Sequence, residues 1–248
     1  MKISVVIPAY NAAGCIRTAI ESCLHQTFPP YQIIVVDDAS TDGTSEIAIQ
    51  YKGVFVISLD NNSGPSAARN IGMGAATGDI IAFLDSDDTW LPGKLSVLHK
   101  LFSEHPEVQY IGHPYLLPGH SETTVYANEL KVVSYLSVLL RNPYQPSCIA
   151  IRKSLPLRFD ESYRYCEDHE LSIRVAHQHT VHWLDTPLTQ LGRPQLSAGG
   201  ASGNKWKMRK GELRLYSSIY KHSPLYLPLI PFLWVYSLAK MFYRSVFS

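Results

Sequence analysis

Cysteine is scarce in this chain. Four occur in 248 residues, at Cys15, Cys23, Cys148 and Cys166, and no two are spaced as Cys-x-x-Cys. That density excludes a disulfide-stapled secreted scaffold and predicts reduced thiols in a cytoplasmic setting. Long apolar runs are also missing. The longest relevant stretch, Leu225 to Ala239, has fifteen residues without a charge, short of the roughly 20 a spanning helix needs. Met1-Lys2 leads directly into Ile3-Ser4-Val5-Val6-Ile7-Pro8, too short for a signal peptide and readable as a first strand. Nor is there an excess of one charge: 22 Lys and Arg face 21 Asp and Glu, a net of +1. No nucleic-acid partner is expected from that balance. No internal repeat occurs.

What is present is enough apolar material for a sizeable core, 46% of residues, in a length that suits one large α/β domain or one domain with an appendage. The even charge hides an asymmetry. Residues 205–248 carry eight basic groups and one acid, Glu212, so the tail is about +7 and the body about −6. A basic tail on an acidic body predicts contact with an anionic surface.

Strand and helix patterns alternate through the first hundred residues. Strands are expected at 3–8, 32–36, 54–58 and 80–84. Helices are expected at 12–26, from Asp42 to about Tyr51, and at 65–76. The apolar run Gln32-Ile33-Ile34-Val35-Val36 has no alternation, as in a strand buried on both faces. A mostly parallel sheet with right-handed crossovers follows. Beyond Trp90 the expected elements are helices at 95–104, 134–141 and 167–176 and strands within 110–117 and at 148–151 and 180–184. The Gly- and Ser-rich residues 194–204 read as a flexible loop.

Acidic residues gather where these strands end. Phe83-Leu84-Asp85-Ser86-Asp87-Asp88 runs an apolar strand into three carboxylates. In open α/β sheets that end is where ligands sit, and carboxylates at alternate positions suit a hard divalent cation that also grips phosphate. A capped turn is the competing reading. Oxygen ligands without nearby His or Cys point to Mg²⁺ or Mn²⁺. Tyr10 ends the first strand, where its ring can stack on a nucleobase or lie half-buried in the core. Asp38 can accept the N–H of a uracil ring, while Asp37 beside it orients the loop or caps the next helix. Arg69 follows Gly64-Pro65-Ser66-Ala67-Ala68 at a helix start and is a candidate contact to nucleotide or diphosphate. Alternatively, Arg69 pairs structurally with a strand-end acid. Gly72 and Gly78 serve packing and turn geometry. His177-x-His179-x-x-His182 spans a helix end, a turn and a strand, so the rings are expected to diverge rather than ligate one metal.

The segments 5–11, 35–44, 61–72 and 83–90, with a further patch from Phe159-Asp160-Glu161 to Glu167-Asp168-His169-Glu170-Leu171, together resemble the inverting family 2 glycosyltransferases of GT-A fold. The likeness runs almost unbroken through residues 3–95. It implies a GT-A-like α/β domain over 1–204, with a nucleotide-sugar half (1–95) and an acceptor half (96–204). Residues 205–248 then form an amphipathic extension. By the same resemblance, Pro8, Tyr10, Asp38, Arg69, Asp85, Ser86 and Asp87 line the nucleotide-sugar site. Asp87 ligates the metal, and Asp85 lies near the ribose or metal. Asp88 supports them or caps the helix after Trp90. Arg193 and Ser197 lie in a loop that closes over the diphosphate. Asp168 is the expected general base, with Glu167 second. A carboxylate at a helix N-terminus is favoured in its ionised form, as a base requires; the plainer reading is that both acids only complement the helix dipole.

Transfer of one sugar from a nucleotide-sugar, a UDP-sugar by preference, to a glycan or lipid-linked glycan is therefore expected, as in cell-envelope polysaccharide assembly. A sugar nucleotidyltransferase would carry basic residues directly after the first strand, where this chain has Ala9-Tyr10-Asn11-Ala12-Ala13-Gly14. A non-catalytic membrane scaffold would not need Asp85, Asp87 and Asp168. The tail is expected to lie on the inner face of the cell membrane, with basic flanks and interfacial rings at Tyr226, Trp234, Tyr236 and Tyr243. Packing on the core or on a second copy, as a homodimer, is the other reading of it.

Overall fold

A computed structural model describes residues 1–119, 127–193 and 204–247. The first half alternates as the periodicity requires: β1 (Ile3–Ala9), α1 (Ile16–Leu24), β2 (Gln32–Asp37), α2 (Thr44–Ala48), β3 (Val54–Ser58), α3 (Pro65–Ala75) and β4 (Ile80–Phe83). The second half has shorter pieces: β5 (Thr89–Trp90), α4 (Lys94–Glu104), β6 (Tyr110–Gly112), β7 (Tyr115–Leu116), β8 (Leu130–Val133), α5 (Tyr135–Leu140), β9 (Ile149–Arg152), α6 (Glu167–Gln178), β10 (Val181–Leu184) and β11 (Thr189–Gln190). Two helices, α7 (Lys205–Ser218) and α8 (Ile230–Phe247), close the chain.

Eight strands form one sheet in the order β3-β2-β1-β4-β9-β6-β10-β8. The first four pair in parallel, which puts all their C-terminal ends along one edge. Strand β9 then enters antiparallel between β4 and β6. A small second sheet, β5-β11-β7, stands beside the end of β4. Every residue of β1 is buried, and β2 is buried after Gln32, so both sheet faces carry core. One face packs Val6, Val36 and Phe83 with α3 and α6; the other packs Ile7, Val35 and Leu84 with α1 and α4. Helix α3 reaches β1 closely because Gly72 has no side chain. A Cβ there would lie 2.3 Å from Val6 Cγ1, far inside contact distance.

Several expected boundaries move. Helix α1 starts at Ile16, not Ala12, because Asn11 sits at φ 48 and the next residues form a turn. Its expected face, Ile16, Ala19, Ile20 and Cys23, is buried. Helix α2 covers only five residues. Strands β5, β8 and β11 carry no sequence signal, since two to four residues become strand only through partners far along the chain. The uncharged tail run also lies in a longer helical stretch than its fifteen residues suggested. A 3-10 segment, Pro224–Leu229, enters α8 directly, and Pro224–Phe242 is 19 residues long with mean hydropathy 1.4. Pro231 falls in the first turn of α8, where a missing N–H breaks no helical bond. By length and composition the stretch could cross a membrane, a correction to the expectation from run length alone.

His169 tests the packing of α6. Its ring is buried, donates from Nε2 to the Val138 carbonyl at 2.7 Å and stands edge-on to Tyr216. Burial pushes its pKa down to about 4; the Val138 bond and Glu212 oppose that shift, and Lys240 adds to it. The unfolded chain therefore takes up this proton first as pH falls. The stabilisation is complete above about pH 6.5 and is lost as pH drops toward 4. We expect roughly 2 kcal/mol of the acid-side loss to disappear in His169→Gln, read as the difference in urea unfolding free energy between pH 7 and pH 4.5. An equal loss in both proteins would refute the assignment.

Candidate active site

The strand-end edge is built from loops that hold one another. Residues Asn11 and Ala39 both adopt positive φ, 48° and 62°, where β1 and β2 end. Such backbone persists only when neighbours fix it. Here Asn11 Oδ1 accepts the Thr41 N–H at 2.9 Å, and Asn11 N–H donates to Ser40 Oγ at 2.9 Å. Asp37 is buried and accepts from the Ser40 hydroxyl and N–H, so it orients the loop. Helix α2 is capped instead through Asp42, which accepts from Thr44. Tyr10 stands out of this rim, 52% exposed, with its ring face available to a ligand. Pro8 lies under it in β1, paired with Val36.

Asp38 is buried, and both its oxygens are engaged. Oδ1 accepts the Ser63 N–H and Oδ2 the Gly64 N–H, each at 2.7 Å. The carboxylate thus pins the entry to α3 against the end of β2. It keeps lone pairs for a further donor, but first it is a loop clamp.

Arg69 lies on α3. The side chain is buried rather than aimed at open space, and it bridges two carboxylates. One nitrogen reaches Asp85 Oδ1 at 2.7 Å and the other Glu167 Oε1 at 2.9 Å. This is the structural pairing with a strand-end acid that the sequence left as an alternative. It joins the end of β4 to the start of α6.

The Asp85–Asp88 turn is held from behind by Ser147, a residue that no sequence motif marked. Asp85 N–H donates to Ser147 Oγ at 2.9 Å, and Ser147 Oγ–H donates to Asp88 Oδ2 at 2.5 Å. The Ser147 carbonyl accepts from Trp90 Nε1, Lys94 Nζ and Thr189 Oγ1, at 3.1, 2.6 and 2.8 Å. Asp88 takes a further N–H from Gly192 at 2.9 Å, so it braces the turn and does not cap the next helix. A Cβ at Gly192 would lie 1.7 Å from the Asp87 carbonyl, so this contact requires glycine. Burial, reinforced by the Asp85 charge, pushes Asp88 up to about 7, against hydrogen bonds from Ser147 and Gly192. Lys94 is fully buried beneath the turn, its pKa brought down to about 7 by burial.

Asp85 and Asp87 keep partly exposed side chains, and half-buried Ser86 lies between them. Arg193 donates from Nε to Asp87 Oδ2 at 2.7 Å. The expected diphosphate ligand therefore sits on the expected metal ligand. Among the described residues, no cluster of three or more His, Cys, Asp or Glu could by itself hold a metal. Two carboxylates on a turn fit a hard cation that keeps waters and takes its remaining oxygens from a phosphate. Ser197 and the 194–204 loop, apart from Asn204, lie outside the described residues. His177 packs against Tyr135, His222 and Tyr226, while His182 lies on β10 facing His105 and Glu107; the rings serve different neighbourhoods.

The start of α6 completes the site. Cys166 precedes it at φ 62. Glu167 and Asp168 are both shifted up, chiefly by burial, with Arg69 opposing in each case. At Asp168 the burial effect is larger than the opposing hydrogen bonds and the Arg69 charge. Asn142 donates to Asp168 Oδ2 at 2.7 Å, a partner no motif revealed.

Removing Arg69 as Arg69→Met should cost about 3–5 kcal/mol, because two partly buried carboxylates lose their counter-charge; urea unfolding reads this, and a change under about 1 kcal/mol would contradict the bridge. For Ser147→Ala, which leaves the Asp85 N–H and a buried Asp88 oxygen unpaired, the expected loss is about 1–3 kcal/mol. An unchanged melting temperature would remove Ser147 from its place behind the turn.

Known proteins bear on this geometry. The chain is 44% identical over 97 residues to "Putative teichuronic acid biosynthesis glycosyltransferase TuaG" of Bacillus subtilis, covering 38% of each chain. It spans about two fifths of the length of the first curated relatives it matches. Among solved structures, S. aureus TarS 1-349 in complex with UDP-GlcNAc aligns with TM-score 0.72 at 22% identity, over 89% of this chain and 67% of that one. The mannosyltransferase PcManGT from Pyrobaculum calidifontis, in complex with GDP-Man and Mn²⁺, aligns with TM-score 0.65 at 15% identity, over all of this chain and 76% of that one. These likenesses establish the GT-A-like fold. The profile of Glycosyl transferase family 2 matches residues 4–155, the stretch that holds the rim, the Asp85–Asp88 turn and its Ser147 brace, and the chain belongs to that family.

Proposed function

We propose that this protein transfers a sugar, a hexosyl or N-acetylhexosaminyl group, from a UDP-sugar to a hydroxyl of a glycan or lipid-linked glycan, with inversion at the anomeric carbon. The observation that carries the reading is the Arg69 bridge, which holds a strand-end carboxylate beside the acidic start of α6. Donor and acceptor chemistry are thereby brought to one edge of the sheet. The catalytic body is residues 1–204, and residues 205–248 are the extension that keeps the enzyme at the cytoplasmic face of a membrane.

Tyr10 stacks on the base, and Asp38, fixed by Ser63 and Gly64, accepts from it. Asp87, with Asp85 beside it, would hold Mg²⁺ or Mn²⁺, which would supply positive charge to the leaving diphosphate. Arg193 then has to leave Asp87, and a diphosphate oxygen is its natural new partner. Asp168 takes the proton from the acceptor hydroxyl. Its upward shift suits a base, because a stronger base removes a hydroxyl proton more readily. Glu167 stays on Arg69. The TarS complex with UDP-GlcNAc supports the uridine choice, and the Mn²⁺ of the mannosyltransferase complex supports the metal. The teichuronic acid relative supports a cell-envelope polysaccharide as the product class.

Thermal stabilisation by UDP with and without Mn²⁺ tests the donor half. UDP with Mn²⁺ should raise the melting temperature of wild type, and the metal-dependent part should vanish in Asp87→Asn. Asp168→Asn should bind UDP as wild type does and lose about 10²–10⁴ in turnover of a UDP-sugar. If no nucleoside diphosphate stabilises wild type with either metal, the reading fails.

A further inference from the structure

Helix α8 is amphipathic in the reverse of the usual sense for a protein in water. Between Ile230 and Phe242 its one charged residue is Lys240, and that residue turns inward. Lys240 and Arg209 both pair with Glu212 of α7. Ser237 is fully buried and donates to Glu212 Oε2 at 2.9 Å, and the Tyr216 hydroxyl donates to Glu212 Oε1 at 3.3 Å. The polar face is therefore spent on the protein. The opposite face is apolar and open: Phe232, Val235 and Phe242 are 73%, 67% and 69% exposed, with Leu238 beside them and Leu225 and Leu227 continuing the surface. At about 100° per residue this outward arc spans roughly 200°. Its two edges are Trp234 and Tyr236, also exposed, the ring types that settle at the boundary between lipid and water.

We infer that this arc lies in the plane of an anionic bilayer, apolar side down, and that the α7–α8 hairpin holds the start of α6 at that surface. The inference rests on the glycosyl-transfer reading only for what the acceptor is. Charge selects the occupant. The tail is about +7, and Lys207, Lys210 and Lys221 are exposed on it. Two copies meeting through α8 would bring like charges together, whereas an anionic surface attracts them. Orientation follows from the ion cluster: a crossing helix would carry Lys240 and Glu212 toward hydrocarbon, whereas a flat one keeps them on the protein side. The hairpin is also bolted to the acceptor side of the site. A Cβ at Gly211 of α7 would lie 2.9 Å from the Tyr165 carbonyl, and Cys166 Sγ donates to the Met208 carbonyl at 3.5 Å. These contacts sit immediately before Glu167 and Asp168. A sugar acceptor carried on a membrane lipid would thus arrive at the residues that need it.

The test is vesicle flotation of the full chain, with phosphatidylcholine vesicles and with vesicles containing about one third phosphatidylglycerol, on wild type and on Phe232→Glu/Val235→Glu. Both substituted side chains are exposed, so folding is checked by melting temperature and by stabilisation with UDP and Mn²⁺, and neither should change. Wild type should float with anionic vesicles, lose about tenfold in affinity on neutral vesicles or in high salt, and be released by alkaline carbonate. The double variant should bind at least about tenfold more weakly. Absence of flotation overturns the inference; if sedimentation then finds a dimer that the double variant abolishes, a second copy covers the face. Resistance to carbonate overturns the in-plane orientation in favour of a span. Loss of UDP stabilisation in wild type would instead count against the donor site, independently of where the protein floats.

Discussion

A single buried guanidinium fixes how the two halves of this chain meet. Arg69 starts on α3 in the nucleotide half, and its two carboxylate partners come from the end of β4 and the start of α6, 16 and 98 residues away. A cation buried this deeply must be paired, or its desolvation would exceed anything the surrounding core returns. The pairing therefore dictates register. Asp85 has to approach from one side and Glu167 from the other, and the Asp85–Asp88 turn and the Asp168 carboxylate follow from where their neighbours are held. Helix α3 can carry Arg69 to that depth because Gly72 lets its backbone settle onto β1.

Behind the turn, a second constraint works through neutral groups. Ser147 uses its hydroxyl to connect the Asp85 backbone to the Asp88 side chain, while its carbonyl gathers three donors. Lys94 and Asp88 are both driven toward neutrality by burial, each to about 7. Their charged forms favour each other, since the Asp88 charge raises the Lys94 value. A buried acid and a buried base linked through one serine make the rear of the turn stiff. The front, where Asp85 and Asp87 emerge, stays partly open to solvent.

Much of this was legible in the sequence, for definable reasons. Largely apolar runs without alternation mark β1, β2 and β4 because strands buried on both faces need none. Acids stand at the strand ends because that edge has no sheet partner for them to disrupt. Asp37, Asp38, Asp85 and Asp87 could therefore be picked out in advance, whereas Glu167-Asp168, at a helix start, stood out only through the resemblance to family 2 glycosyltransferases. Ser147, Lys94 and Asn142 could not. Each is one polar residue in an unremarkable stretch, and its role arises from partners brought close by the fold, such as Asp85, 62 positions away from Ser147. Arg69 could be selected, and a strand-end acid stood as one of its two candidate partners, but the sequence could not choose between them, since a guanidinium suits a carboxylate as well as a phosphate. The tail misled in a different way: its composition marked an apolar helix, but only packing against Glu212 reveals which face is spoken for.

Glu167 and Asp168 illustrate how adjacent acids acquire different work. Burial raises both. Glu167 is tied through Oε1 to a permanent cation, which already offsets its charge. Asp168 is held by a neutral amide, that of Asn142, which orients the carboxylate without cancelling its charge. A carboxylate held by an amide gains more from accepting a proton than a salt-bridged one. The proposed order of preference, Asp168 as base and Glu167 as anchor, rests on what each touches. Their place one residue apart on a helix start makes the two roles cooperate: the anchor fixes the helix so that the base can be precise without a counter-ion of its own.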